Sequence, residues 1–143
     1  MSYPSPINYP KPDDYLARFE RVYCKKPSLT FDGIPVSFQK KDFSHAFYER
    51  ENPTGPKKIF SKERAERMDW IGEALLDKSA ELYYGWDNKK KRFDKDRRVA
   101  IVNSNYVVII EIYKSGKASF KTAYVGSTST LTKIRKGKKW GAS

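Results

Sequence analysis

The chain predicts an α+β fold, with helices packed against an antiparallel meander of strands. Two features lead there: a long, capped amphipathic stretch at residues 60–77, FSKERAERMDWIGEALLD, and three later runs of β-branched and aromatic residues set apart by turn signals. In the first, Met68, Ile71 and Leu75 fall on one narrow stripe at about 100° per residue, with Lys62, Glu63, Glu66, Asp69, Glu73 and Asp77 opposite. Arg64 projects onto the centre of the apolar stripe. A guanidinium there must pair, reach an opening or hold a ligand, because an unpaired buried charge is too costly to keep.

Four of the eight prolines (Pro4, Pro6, Pro10 and Pro12) open the chain, so residues 1–14 are expected to be an extended arm with no ladder of its own. Asp13 or Asp14 can cap a helix over residues 15–23 that places Leu16, Phe19 and Tyr23 on one face and ends at Lys25, Lys26 and Pro27. Residues 29–31 and 36–38 then form a hairpin about Asp32 and Gly33. In DFSHAFYERE, Phe43, Phe47 and Tyr48 predict a helical turn packed by aromatics, with Asp42 or Ser44 as cap and His45 in the first turn. Residues 52–56, NPTGP, are a loop. The central helix takes Ser61 as N-cap, Phe60 is placed to staple onto Ala65, and Glu63 suits the helix dipole.

Beyond Asp77, LYYGW is a short aromatic segment, and residues 89–98 are a basic loop with seven cations and two acids, too charged to bury. Strands are expected at residues 99–102, 106–113 and 118–125. YVVIIEIY is apolar at both parities, which predicts a central strand covered on both faces for part of its length. In SFKTAYV, alternation puts Phe120, Thr122 and Tyr124 on one face and Ser119, Lys121 and Ala123 on the other. No acid follows Glu111, so the tail is cationic, with Leu131, Ile134 and Trp140 able to anchor a last strand or turn. Without a repeat or a break in composition, residues 15–143 make a single domain with a basic C-terminal tail.

Charge and composition narrow the function classes. Lys and Arg number 29 against 17 Asp and Glu, and the net charge of +12 points to a polyanionic partner, most simply nucleic acid. No apolar run reaches the roughly 18 residues of a membrane span. The N-terminus lacks the regions of a signal peptide. The chain is therefore expected in the cytoplasm, of the producing or of a target cell, and Met1 fits a free-standing protein. Cys24 stands alone, so no internal disulfide is possible, and a small apolar role on the packed side of a helix suits it. One His and one Cys predict no metal cluster. A Walker loop, GxGxxG, HExxH and GxSxG are all absent, and no cofactor is expected.

What remains is one His, many Arg and Lys, and Thr and Tyr hydroxyls, the toolkit of metal-independent RNA cleavage. Activating a ribose 2′-OH against its own phosphate takes a proton acceptor, the phosphorane takes cations or donors, and the leaving 5′-oxygen takes a proton. His45 either handles a proton or is a surface or capping residue. Arg64 either pairs with Glu111, the lone acid of an apolar strand, or binds phosphate. Arg67, about 60° round the helix, can converge with it on one anion. Trp70 and Trp86 either stack bases or belong to the core. Lys91, Arg92 and Arg98 in the basic loop, with Lys121 and the tail, grip phosphates without reading sequence.

The order of FSHAFYE, then ERAERMDWI on a helix, then a strand ending FKTAY, resembles the phage-associated branch of the barnase, EndoU, colicin-type tRNase and RelE-like nuclease superfamily. Most of the weight lies on RxxRxxxI and TAY, and the resemblance spans residues 38–124. It implies N-terminal helices packed on a small, four-stranded antiparallel sheet, and a toxin-like, metal-independent endoribonuclease that leaves a 2′,3′-cyclic phosphate. The implied active-site set maps onto His45, Arg64, Arg67, Thr122 and Tyr124, with Trp70 in the helix motif. RNA, tRNA by analogy, would be the substrate, and an acidic antitoxin or immunity protein would cover the basic cleft. The runner-up reading is a non-catalytic nucleic-acid-binding protein of a phage or mobile element, and a third is a structural or inhibitory phage protein that binds an acidic protein partner.

Overall fold

A computed structural model of the chain describes residues 3–50, 52, 54–87 and 92–137. Pro12 opens the first helix, α1 (Pro12–Phe19), where its fixed φ suits the first helical position and its missing N–H goes unmissed. Asp13 and Asp14, expected as caps, lie inside the first turn instead, where they complement the dipole; the N-cap is Lys11. A π-helical turn, Glu20–Cys24, carries the chain on to Tyr23. Tyr15, Phe19 and Tyr23 are buried, and Phe19 meets the rings of Tyr23, Phe38, Phe43, Phe47 and Phe120 at centroid separations of 5.7–6.2 Å. Cys24 is half-buried against this core.

The arm stays extended, but it is fastened down. Ile7 N–H donates to the Glu66 carbonyl at 2.7 Å, and the Tyr15 hydroxyl bridges Ile7 and Tyr9. The hairpin forms with shorter strands than expected, β1 (Ser28–Leu29) and β2 (Pro35–Ser37), with Gly33 at φ 87°, a conformation glycine adopts freely. In α2 (Lys40–Phe47) the Asp42 carboxylate accepts the Gln39 N–H at 2.8 Å, capping from inside the first turn, while His45 falls in the last turn rather than the first. β3 (Tyr48–Arg50) and β4 (Lys57–Phe60) pair as a separate two-stranded sheet.

Residues 60–77 do not form one helix. Phe60 closes β4 and packs on Tyr15, Phe43 and Tyr48. Ser61 is the expected N-cap, accepting the Arg64 N–H at 3.3 Å, and α3 (Lys62–Ala65) follows. A stretch of i→i+3 bonds then leads into α4 (Asp69–Leu76). Tyr23 marks the break: its hydroxyl accepts the Gly72 N–H at 3.0 Å and donates to the Met68 carbonyl, two groups that an unbroken helix would join to each other. Asp77, expected on the polar face, is buried beyond the end of α4.

β5 (Glu81–Asp87), β6 (Arg92–Asn103), β7 (Tyr106–Ile112) and β8 (Ala118–Val125) form the antiparallel meander. Residues 92–98, expected as a loop, lengthen β6 by pairing with β5 out to Asp87↔Arg92, since a ladder needs only backbone partners. β2 adds to β8 in parallel, with Val36 opposite Ala118, and β1 lies outside it. The sheet is therefore mixed and six-stranded, in the order β1-β2-β8-β7-β6-β5, instead of four-stranded and antiparallel. Burial of Val36 and the stacking of Phe38 on Phe120, at 4.8 Å, hold the added strand in place.

Helices α1 to α4 cover one face of this sheet, burying Phe47, Met68, Ile71 and Leu75 against Val99, Ile101, Val108 and Ile110. The tail supplies a helix where a strand or turn was expected, α5 (Thr128–Arg135), whose Leu131 and Ile134 bury Ala100, Val102, Val107 and Ile109 on the other face. Three-residue spacing of Leu131 and Ile134 is a helical one. β7 is buried on both faces, as its parity predicts. Among the described residues, no helix is long and apolar enough to cross a membrane.

Candidate functional site

β8 carries one residue too many opposite β7. Ile109 pairs with Thr122 and Ile110 with Phe120, so Lys121 is the bulge and the side-chain parity flips there. Phe120 and Ala123 consequently face the helices, while Tyr124 joins the α5 side, as does Ile109, the partner of Thr122. The expected grouping of Phe120 with Thr122 and Tyr124 is thereby split. β2 pairs with β8 only at Ala118 and Ser119, and among the described residues no strand lies beside β8 further on.

α3 lies against this open edge and delivers Arg64 to it. The guanidinium stands 5.4 Å from the centre of the Tyr124 ring, its Nη1 donates to the Ala46 carbonyl at 3.2 Å, and its Nε is 3.4 Å from Glu49 Oε1. Burial pushes the Tyr124 phenol above its ordinary pKa, an effect partly offset by the Arg64 charge. Like any tyrosine hydroxyl it holds its proton near neutrality and can donate. Glu111, the other partner foreseen for Arg64, instead takes Lys121 at 3.5 Å from the neighbouring strand.

His45 precedes Ala46, whose carbonyl holds Arg64, so the end of α2 and the start of α3 meet where Tyr124 emerges. Its side chain is exposed rather than enclosed, because Phe43, Ala46 and Phe47 take the buried side of α2. Arg67 does not share Arg64's partners. It donates to the Glu63 carbonyl at 2.7 Å and the Glu66 carboxylate at 2.8 Å, and it lies over Trp70 at 5.3 Å. Trp70 is held in turn by Tyr3 and Tyr106, edge-on at 5.6 and 5.2 Å, and donates to the Pro4 carbonyl. Its ring is a packing element beneath the arm. Lys91 lies outside the described residues, as do Trp140 and the side chains of Trp86, Arg92 and Arg98.

Two acidic residues escaped the sequence reading. Asp77, 2% exposed, accepts hydrogen bonds from the Tyr3 hydroxyl at 2.9 Å, from the Ser79 N–H and hydroxyl at 2.9 and 2.6 Å, and from the Asn103 amide. Burial alone would raise its pKa, but these donors outweigh it and hold the carboxyl below its ordinary value. The Asp-x-Ser spacing after a helix is the one local signal for this, since Asp readily bonds the backbone two residues on. Glu49 gave no signal, because its contact with Arg64 is made only by tertiary folding. Among the described residues, no group of three or more His, Cys, Asp or Glu is placed to hold a metal. No protein family, curated protein or solved structure matches the chain.

Proposed function

We propose that the chain is a metal-independent endoribonuclease, cleaving RNA, with tRNA the favoured substrate by analogy, by 2′-OH transesterification to a 2′,3′-cyclic phosphate. What carries the proposal is Arg64: a guanidinium standing at an open sheet edge, against Tyr124 and next to the segment that bears His45. In this mechanism His45 takes the 2′-OH proton, Arg64 neutralises the phosphate, and the Tyr124 hydroxyl donates to the leaving 5′-oxygen with Thr122 nearby on the same strand. Arg67 would serve as a second cation by letting go of Glu66. The net charge of +12 suits RNA and an acidic antitoxin or immunity protein, and the resemblance to the toxin branch of the superfamily suits a cytoplasmic site of action.

A second reading, a non-catalytic nucleic-acid-binding protein, is favoured by the placement of Arg67, whose hydrogen bonds go to its own helical segment. Purified protein incubated with total RNA in excess EDTA separates the two. The ribonuclease is expected to leave cyclic-phosphate ends and to lose most cleavage in His45→Ala and Arg64→Ala; RNA that stays intact at micromolar protein favours the binding module.

A further inference from the structure

We propose that Glu49 occupies the anion-binding edge of Arg64 in the free protein, and that an RNA phosphodiester binds there by displacing it. The identity of the ligand rests on the ribonuclease reading. The other arginine pairs among the described residues are closed by hydrogen bonds: Arg18 grips Asp69 through two, at 3.0 and 2.8 Å, Arg67 meets Glu66 at 2.8 Å, and Arg135 meets Glu81 at 3.1 Å. Arg64 and Glu49 approach only to 3.4 Å, with no hydrogen bond between them. The Glu49 side chain is 50% exposed against 26% for Arg64, so the carboxylate returns to water easily when it leaves.

The guanidinium, by contrast, stays put. Its Nη1 is fixed on the Ala46 carbonyl and its face rests on Tyr124, which leaves the Nε side pointing at Glu49. Two phosphate oxygens fit that side in the bidentate manner guanidinium favours, whereas Glu49 offers it one oxygen at long range. Glu49 therefore sets an entry threshold: it neutralises Arg64 when no RNA is present and yields only to an anion that grips better.

The test is a double-mutant cycle on the full chain, titrating a 2′-O-methyl RNA octamer, which has no free 2′-OH to react. Glu49→Gln is expected to tighten binding by about two- to five-fold, as befits a half-exposed pair, and to do nothing in an Arg64→Ala background. Circular dichroism checks that each variant is folded. Equal tightening in both backgrounds means a general charge effect and overturns the proposal, as does unchanged or weaker binding in Glu49→Gln alone. Should the cycle hold while the wild type cuts no RNA, the ribonuclease reading fails and the phosphate site stands. If Arg64→Ala abolishes cleavage but the cycle shows no coupling, the ribonuclease reading stands and the displacement of Glu49 is overturned.

Discussion

Arg64 and Arg67 lie one helical turn apart and end in two different kinds of surroundings. Arg67 belongs to a region where polar atoms close on one another: Glu66, Trp70, Tyr3, Pro4, Asp77, Ser79 and Asn103 are linked by short hydrogen bonds and ring contacts that tie the arm to α4 and to the end of β6. Arg64 stands at the β8 edge, with a half-exposed carboxylate 3.4 Å away and an exposed His at the end of the adjoining helix. The first region spends its donors and acceptors internally, which favours stability. The second keeps a cation that a visitor can engage, and the end of α3 at Ala65, followed by i→i+3 bonds, lies between the two arginines.

The contrast breaks most easily at Asp77. Asp77→Ala leaves the Asn103 amide, the Tyr3 hydroxyl and the Ser79 N–H without their acceptor, and about 3 kcal/mol of stability should go, read by urea denaturation. A loss under about 1 kcal/mol would mean that the cluster is not the lock described. Its carboxyl has a lower pKa folded than unfolded. Its contribution is therefore present in full above the unfolded value of about 4 and fades as pH falls through the depressed folded one. The gap in stability between the wild type and Asp77→Asn should accordingly be level near neutrality and narrow in acid.

A smaller effect is expected at Tyr23. Tyr23→Phe keeps the ring in the aromatic core and removes only the hydroxyl that separates the Met68 carbonyl from the Gly72 N–H. About 1 kcal/mol should be lost, together with slower amide exchange at Gly72 if the helix rejoins. Faster exchange there would show that the helix stays broken and the Gly72 N–H is left without an acceptor.

What the sequence disclosed and what it hid divide along the range of the interactions. Ser61 as a cap, the meander and the double burial of β7 are local patterns, and each appears in the structure. The helix break was hidden because its cause, Tyr23, lies 45 residues before Met68. Alternation cannot reveal a bulge, so the faces of β8 after Lys121 were misassigned. The parallel pairing of β2 with β8 depends on packing among Val36, Phe38 and Phe120, and the apolar–polar alternation at residues 36–38 alone does not specify its partner strand. At the site, Arg64 was legible as a charge on an apolar stripe. Its neighbours were not, since Glu111 has a closer cation in Lys121, and Glu49 comes from a separate small sheet.

The smallest expected effect on stability is the one that sharpens the comparison most. Arg64→Ala removes a hydrogen bond to Ala46, a ring contact and a loose, half-exposed ion pair, so it should cost under about 1 kcal/mol. Arg67→Ala breaks two short hydrogen bonds and uncovers Trp70, and should cost more, about 1–2 kcal/mol. RNA affinity should rank the two in the opposite order, with Arg64→Ala the more damaging. Urea denaturation beside RNA titration decides it: if Arg64→Ala proves the more destabilising and leaves RNA binding intact, the β8 edge is a structural seam, and the guanidinium on the apolar stripe is there to hold α2, β3 and α3 together.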